Sequence, residues 1–452
     1  MKERLTLSKR PAKRPSKMEK PPVDDRPPTP RRLALDVLGR VFGDQRSFDD
    51  AFAGHSKLEL MEPRDRAFAR LLITTVLRRR GQVDEAVDRY LKKAPDPKVR
   101  NILRIGAAQL MFLETPVHAA VGETVELAAG RASYAQGLVN AVLRRLANEL
   151  AGIEKRQDVD KLNLPAWLWE SWTKAYGEEA TRAVAAVQRQ EPPLDITVKD
   201  VPDLWAKKLE GRVIGSHTVR RPAGGPGGLI QDLPGYGQGS WWIQDLAASL
   251  PARLLGPLDG RHVIDLCAAP GGKTAQLAAA GAKVTSIELS EKRAERLREN
   301  LTRLKLNAEV IVADALEWRA PEPAVLVLLD APCTATGTIR RHPDIAWQKS
   351  AEDVARMAEL QEKLIRTTID MLVPGGILVY AVCSLQPEEG EGLIDKILKD
   401  GLPLARVPID EAELLELPVE VTGKGDVRTL PSHLAEEGGM DGFYIARLQR
   451  VP

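Results

Sequence analysis

Beyond about residue 241, short apolar runs alternate with longer amphipathic stretches, and this alternation restricts the fold more than any other feature of the chain. HVIDLC, KVTSIEL, EVIVAD, AVLVLLDAP and GGILVYAVCSL read as strands. KTAQLAAAGA, EKRAERLRENLTRLKL, AEDVARMAELQEKLIRTTIDMLV and EGLIDKILKD read as helices, and DGFYIARLQR closes the chain as a strand. Strands that are apolar almost throughout are buried on both faces, which implies a mainly parallel, doubly wound sheet of the α/β, Rossmann-like kind. Ligands of such sheets bind beyond the carboxyl ends of the strands, so the residues at those ends are the candidates for chemistry.

The chain has 452 residues, too many for one ordinary core. Residues 31–150 read as helices throughout: ARLLITTVLRRR, VRNILRIGAAQLMFL and QGLVNAVLRRLANEL repeat apolar residues every three or four positions. This predicts an all-α bundle whose faces carry Arg78, Arg79, Arg80, Arg144 and Arg145, available either for RNA or simply for solvent. Residues 151–240 are less regular. LPAWLWESWTKAYG starts a helix whose tryptophans serve packing, EPPLDITVKD starts a strand, and RRPAGGPGGLIQDLPGYGQGS reads as loops, so a small α+β connector is expected before a catalytic domain at 241–452. Residues 1–30 form a basic, proline-rich tail carrying Arg4, Lys9, Arg10, Lys13, Arg14, Lys17 and Lys20. It is expected to be disordered, and either adds phosphate contacts or only solubility.

No uncharged apolar run is long enough to cross a membrane, and no apolar stretch follows the basic amino terminus as a secretory signal requires. The expected location is cytoplasmic. The three cysteines, Cys267, Cys333 and Cys383, are an odd number without a C-x-x-C pair, which argues against a disulfide framework and against zinc; no metal is expected.

The segment from Asp265 to Thr274, DLCAAPGGKT, follows a strand and opens a helix. A phosphate-binding P-loop would need glycine where Cys267 stands, and a dinucleotide loop would need a different glycine spacing. Asp265, Glu288, Asp314 and Asp330 fall at the ends of four successive strands. Such acids suit a cationic ligand that carries a ribose, as S-adenosylmethionine does, better than an anionic dinucleotide; Glu288 stands about where a ribose hydroxyl pair is bound in related sheets. Capping of the following helices is the alternative use of these side chains.

Cys333 and Cys383 follow adjacent strands, and Asp330 precedes Cys333 by three residues. Carbon 5 of cytosine is a weak nucleophile until a thiolate adds at carbon 6. Methylating it needs an activated cysteine, a proton acceptor and an acid near the base, which this set supplies. Small buried hydrophobes are the other fate of free cysteines, and Cys267 fits that description.

DLCAAPGGKT, DAPCTATGTIRRHPDIAW and YAVCSLQPEEGE resemble motifs of the RNA cytosine-5 methyltransferases, whose catalytic domain is a Rossmann-like class I methyltransferase fold. RRHPD and the helical region ending in GLVNAVLRRL resemble the branch that modifies 16S ribosomal RNA, the RsmB (Fmu/Sun) family, with its NusB-like RNA-binding domain. The resemblance spans roughly residues 30–452. It implies that Cys383 is the nucleophile and that Cys333 assists release of the product. It also implies that Cys267, Ala268, Ala269, Pro270, Gly271, Gly272, Lys273, Glu288, Asp314 and Asp330 contact S-adenosylmethionine, with Asp330 between cofactor and target base. The implied partner is 16S ribosomal RNA, free or in an early assembly particle. The chain departs from the family at Thr334, where serine is common, at Trp241-Trp242, and in DITVKD, which lacks an arginine-valine-asparagine run.

A stacked base hides the target atoms, so the nucleotide must be unpaired or flipped out. Arg340, Arg341 and His342 follow the Cys333 segment and either hold the flanking phosphates or form structural ion pairs. Two other functions stay open on the sequence: methylation of another RNA by the same chemistry, and a non-catalytic RNA-binding assembly role.

Overall fold

The computed structural model describes residues 29–224, 229–414 and 417–452. Nearly all of the basic tail, and part of the glycine- and proline-rich loop after position 224, lie outside these residues. Helices alone make up the amino-terminal region from Pro30–Gly43 to Gln136–Glu154. Their apolar faces form one continuous core, with Leu38, Leu72, Ile73, Val76, Ile102, Leu103 and Leu143 all 0% exposed. Complete burial of each such side chain contributes roughly 1.5–3 kcal/mol.

A four-stranded antiparallel sheet follows, formed by β1 (Leu194–Val198), β2 (Arg212–Ile214), β3 (Thr218–Arg221) and β4 (Trp241–Ile243), in the order β2-β3-β1-β4. β4 pairs with β1, so the connector's sheet takes in Trp241 and Trp242, beyond position 240. The preceding helix, Ala166–Gln188, does not pack on that sheet. Its Leu168, Trp169 and Trp172 join Ile339, Ala346 and Leu385 of the last region in a separate apolar cluster.

The last region is built on β5 (His262–Leu266), β6 (Lys283–Glu288), β7 (Glu309–Val312), β8 (Ala324–Asp330), β9 (Leu372–Val382), β10 (Leu404–Arg406), β11 (Glu420–Val421), β12 (Val427–Thr429) and β13 (Phe443–Arg450). The order is β11-β12-β13-β9-β8-β5-β6-β7, with β10 on β13. β5 to β9 are mutually parallel, and the strands after β9 join antiparallel. The helical region followed by this mixed sheet is the Rossmann-like architecture expected. Leu326, Val327, Leu328 and Leu329 are 0% exposed, as a central strand covered on both faces requires. The covering helices start on local signals: Ala351–Met371 opens with a reciprocal Ser350–Asp353 capping box. Because β5 to β9 are parallel, their carboxyl ends all lie along one edge.

The amino-terminal helices dock against the segment that follows Cys333. Phe48 N donates to Asp344 (2.9 Å), Trp347 Nε1 to the Leu77 carbonyl (2.9 Å), and Arg78 to the carbonyls of Arg340 (2.6 Å) and Gln188 (3.1 Å). Arg80 stacks on Phe42 and Trp347. Arg78 and Arg80 are thus committed inside the protein and do not line an RNA-facing surface, whereas Arg144 and Arg145 are exposed.

His342 Nδ1 meets Asp49 at 3.1 Å across this contact. Burial opposes the imidazolium, but the hydrogen bond and charge of Asp49 outweigh it and raise His342 above its ordinary value. The same bond lowers Asp49. The stability contributed by His342 is therefore complete below its unfolded value, near 6.5, and is lost as pH rises through the raised folded value. Asp49's contribution is lost only in acid. His342→Ala is expected to lower the melting temperature more at pH 6 than at pH 9, for a loss of under about 1 kcal/mol because the pair is half-exposed. Equal losses at the two pH values would show that charge plays no part.

Candidate active site

The loop after β5 carries the tightest backbone constraints. Cys267 adopts φ +62° and Gly271 φ +102°. A Cβ on Gly271 would lie 2.2 Å from Leu297 Cδ1, so only glycine lets the loop lie against the helix Glu291–Leu304. The loop ends at the helix Gly272–Ala279, and Lys273 reaches back to donate to Asp330 Oδ2 at 2.7 Å.

The four strand-end acids have different uses. Asp265 is 0% exposed, accepts from the Thr274 hydroxyl at 2.5 Å, and is pushed up to about 7 by burial. It supports the loop from inside, with one carboxylate oxygen taken up by Thr274. Glu288, 2% exposed, accepts from Ala269 N (3.2 Å) and Ser290 N (3.0 Å), tying the end of β6 to the loop. Asp314 lies two residues past β7, is half-buried and caps Leu316 N at 2.9 Å. Asp330 ends β8 with its side chain 32% exposed. Burial and the charges of Asp330, Glu288 and Asp265 push the Cys267 thiol up to about 12. A thiol so disfavoured as thiolate is no nucleophile. Its surroundings also show that these acids converge on the loop.

Cys333 and Cys383 are brought together by register. Asp330 pairs with Ala381 on β8 and β9, and Ala331 N donates to the Ala381 carbonyl. The two sulfurs, three and two residues further on, lie 3.4 Å apart, both half-buried. Gly337 N donates to the Cys383 carbonyl (3.0 Å), and Gly442 N to the Gly337 carbonyl (2.9 Å). A Cβ on Gly337 would fall 1.9 Å from the Gly442 oxygen, so this three-way crossing needs glycine. The hydrogen bond to Cys383, and after it burial, raise the Cys333 thiol well above its ordinary value.

The helix Ala166–Gln188 braces the Cys383 loop: Tyr176 donates to the Leu385 carbonyl (2.6 Å) and Ser171 to Gln386 (2.7 Å). Sequence reasoning took the helix's aromatic residues only as packing. It also missed Glu389, which is 0% exposed and accepts from both Thr334 and Ser384, the residues that follow the two cysteines. The run PEEGE follows a C-S motif, but nothing in it distinguished the buried Glu389 from the exposed Glu388 and the partly exposed Glu391.

Arg340 and Arg341 are not available to phosphates. Arg340 is 0% exposed and pairs with Asp245 and, at 2.8 Å, with Asp441; Arg341 pairs with the same two carboxylates. Asp195 on β1, paired with Arg220 at 2.7 Å, extends the cluster into the connector. The ion-pair alternative holds at both positions, because each guanidinium finds buried carboxylates that would otherwise be uncompensated. Among the described residues, no group of three or more histidine, cysteine or acidic side chains is arranged to hold a metal, and no helix is long and apolar enough to cross a membrane.

Residues 252–449 match the family model described as 16S rRNA methyltransferase RsmB/F, and residues 28–148 match that of the NusB family. The ribosomal RNA small subunit methyltransferase B of Pseudomonas putida is 37% identical over 93% of this chain and 98% of that protein. Its namesake in Thermus thermophilus is 37% identical over 94% and 98%. The solved structure of PH0851 superposes with a TM-score of 0.69 at 22% identity, over 93% of this chain and 98% of that one, a likeness of fold. Relatives this similar, matched nearly end to end, leave no part of the fold unaccounted for: the chain belongs to the RsmB/F family of 16S rRNA methyltransferases.

Proposed function

We propose that this protein methylates carbon 5 of a cytosine in 16S ribosomal RNA, using S-adenosylmethionine, with Cys383 as covalent nucleophile and Cys333 as its partner in product release. The observation that carries the reading is the 3.4 Å thiol pair at the carboxyl edge of two adjacent parallel strands, next to Asp330. A single buried cysteine has a structural explanation, but two half-buried thiols in contact at a ligand-binding edge do not.

The cofactor fits the residues present. The convergence of Glu288 and Asp330 on Cys267 favours a cationic ligand, and Asp265 Oδ1 is a buried oxygen without a protein partner beneath the same loop. Cys267 to Lys273 would hold it by backbone approach, with Glu288, Asp314 and Asp330 as acceptors. When bound, S-adenosylmethionine supplies the methyl group.

The chain's own residues do the rest. The Cys383 thiolate adds to carbon 6 of the base, forming an S–C6 bond and moving the C5=C6 electron pair onto carbon 5. Once carbon 5 is methylated, loss of its proton re-forms C5=C6 as the S–C6 bond breaks. Cys333, still a thiol, gives its proton to the departing Cys383 sulfur and takes up the carbon-5 proton; the extra proton then leaves to solvent. Asp330, three residues before Cys333, would bond the edge of the ring. The helical region and connector extend the grip on RNA through shape and backbone contacts.

Incubation with unmodified 16S RNA and S-adenosylmethionine, followed by nucleoside mass spectrometry, is expected to yield new 5-methylcytidine. Product from transfer or 23S RNA only would move the target and keep the chemistry. Cofactor binding without product on any RNA would favour the assembly role.

A further inference from the structure

Glu389 ends the short helical turn Pro387–Glu389, just before Gly390, and is 0% exposed. Among the described residues, no lysine, arginine or histidine pairs with it. Four neutral donors surround the carboxylate instead. Thr334 N (2.8 Å) and Gln361 Nε2 (3.0 Å) donate to Oε1; Ser384 Oγ (2.5 Å) and the Thr334 hydroxyl donate to Oε2. The backbone carbonyl of Glu389 accepts from Tyr380 on β9 at 2.7 Å. Burying a carboxylate without a cation costs several kcal/mol, offset here only by these charge-assisted bonds. A link needed only for shape has cheaper solutions, such as an amide or apolar contact.

The position of the donors shows what the charge is spent on. Thr334 directly follows Cys333 and Ser384 directly follows Cys383, on loops from different strands. One side chain therefore grips the chain just past each sulfur. Thr336 adds a second tie, accepting from Leu385 N at 3.0 Å. We propose that Glu389 is a positioning residue of the thiol pair: it holds the two cysteine loops at the separation the reaction needs. The assignment rests on the two-thiol reading above. The Cys383 contact first, then burial, and after them the charge of Glu389 raise the Cys333 thiol, so Glu389 adds to what opposes ionisation there. Thr334, where relatives often carry serine, keeps the hydroxyl that this clamp uses.

Glu389→Gln retains size but removes the charge and replaces an acceptor oxygen with a donor facing hydroxyl groups. Iodoacetamide labelling of the full-length protein, read by peptide mass spectrometry across pH, reports the two thiols without relying on activity. In the parent, Cys333 is expected to label only at high pH; in Glu389→Gln its midpoint moves to lower pH. Turnover on 16S RNA is expected to fall by about 10²-fold with RNA affinity unchanged, as for a misplacement of about 1 Å. A larger share of enzyme is expected as denaturation-resistant RNA complex, and Glu389→Asp should restore part of the parent behaviour. An unchanged Cys333 midpoint with a parent-like ratio of complex to product would overturn the proposal. If Glu389→Gln does not fold, Thr334→Val removes one tie and leaves the carboxylate. Parent-like turnover and complex yield in that variant would equally overturn it. Absence of any RNA complex or 5-methylcytidine from the parent would instead defeat the two-thiol reading, while the labelling profile still judges Glu389.

Discussion

Cys383→Ala is expected to lower methyl transfer by about 10⁴-fold or more, with the fold intact. The sulfur is half-buried at the margin of an apolar cluster and in contact with Cys333, so its loss removes only a small part of the packing. In the proposed mechanism it also removes the group that gives carbon 5 its electron density. Cys333 is adjacent, but its contact with Cys383 and its burial disfavour a thiolate there. Cys333→Ala is expected to behave differently. Addition at carbon 6 does not need the second thiol, but release does, so the variant should accumulate an RNA–protein complex that survives denaturing electrophoresis. The measurement is a gel of radiolabelled RNA beside a methyl-transfer assay. A complex in Cys333→Ala and none in Cys383→Ala assigns the two roles. A complex in Cys383→Ala that Cys333→Ala lacks would exchange them. Loss of product without a complex in either variant would mean that no covalent step occurs.

The strands β5 to β9 and β13 were legible in the sequence because they are apolar and bounded by glycine, proline or an acid, whereas the two- and three-residue strands β10, β11 and β12 were too short to show a pattern. HVIDLC and AVLVLLDAP could be assigned without knowledge of their neighbours. Side-chain partners were not legible, since they are set by chain crossings. Arg340 and Arg341 follow a catalytic loop and look free, yet Asp245 and Asp441, far away in sequence, meet both. Asp265 fits the strand-end pattern of Glu288 and Asp330, but Thr274, one helical turn into the next element, occupies it. Trp241 and Trp242 stand before an α/β pattern yet belong to β4, because strand pairing with β1 is decided in three dimensions. Cys333 and Cys383 were recognisable as a pair from their motifs. Their separation and the carboxylate between their loops required the register of β8 against β9.

Arg340→Ala is expected to destabilise the protein by about 3–5 kcal/mol, the usual effect of removing one partner from a buried ionic cluster. The guanidinium is 0% exposed, with Asp245 and Asp441 at 6% and 4%. Burial by itself would raise the Asp245 carboxyl, but Arg340, then Arg341, hold it well below the usual carboxylate range. Without Arg340, Arg341 alone must serve two buried carboxylates, and Arg220, already paired with Asp195, does not take up the difference. The consequence reaches the active site. Asp245 caps the helix Leu246–Arg253, Asp441 precedes β13, and Arg340 closes the loop that begins at Cys333. Loosening the cluster frees that loop from the sheet, so catalysis should fail at temperatures where the rest of the fold survives. Urea denaturation of parent and variant, with RNA binding measured across salt concentration, tests this against direct phosphate contact. A lower midpoint with the salt slope of RNA binding unchanged agrees with the buried cluster. An unchanged midpoint with a flatter slope would mean that Arg340 reaches RNA after all, which would require the cluster to open when the substrate binds.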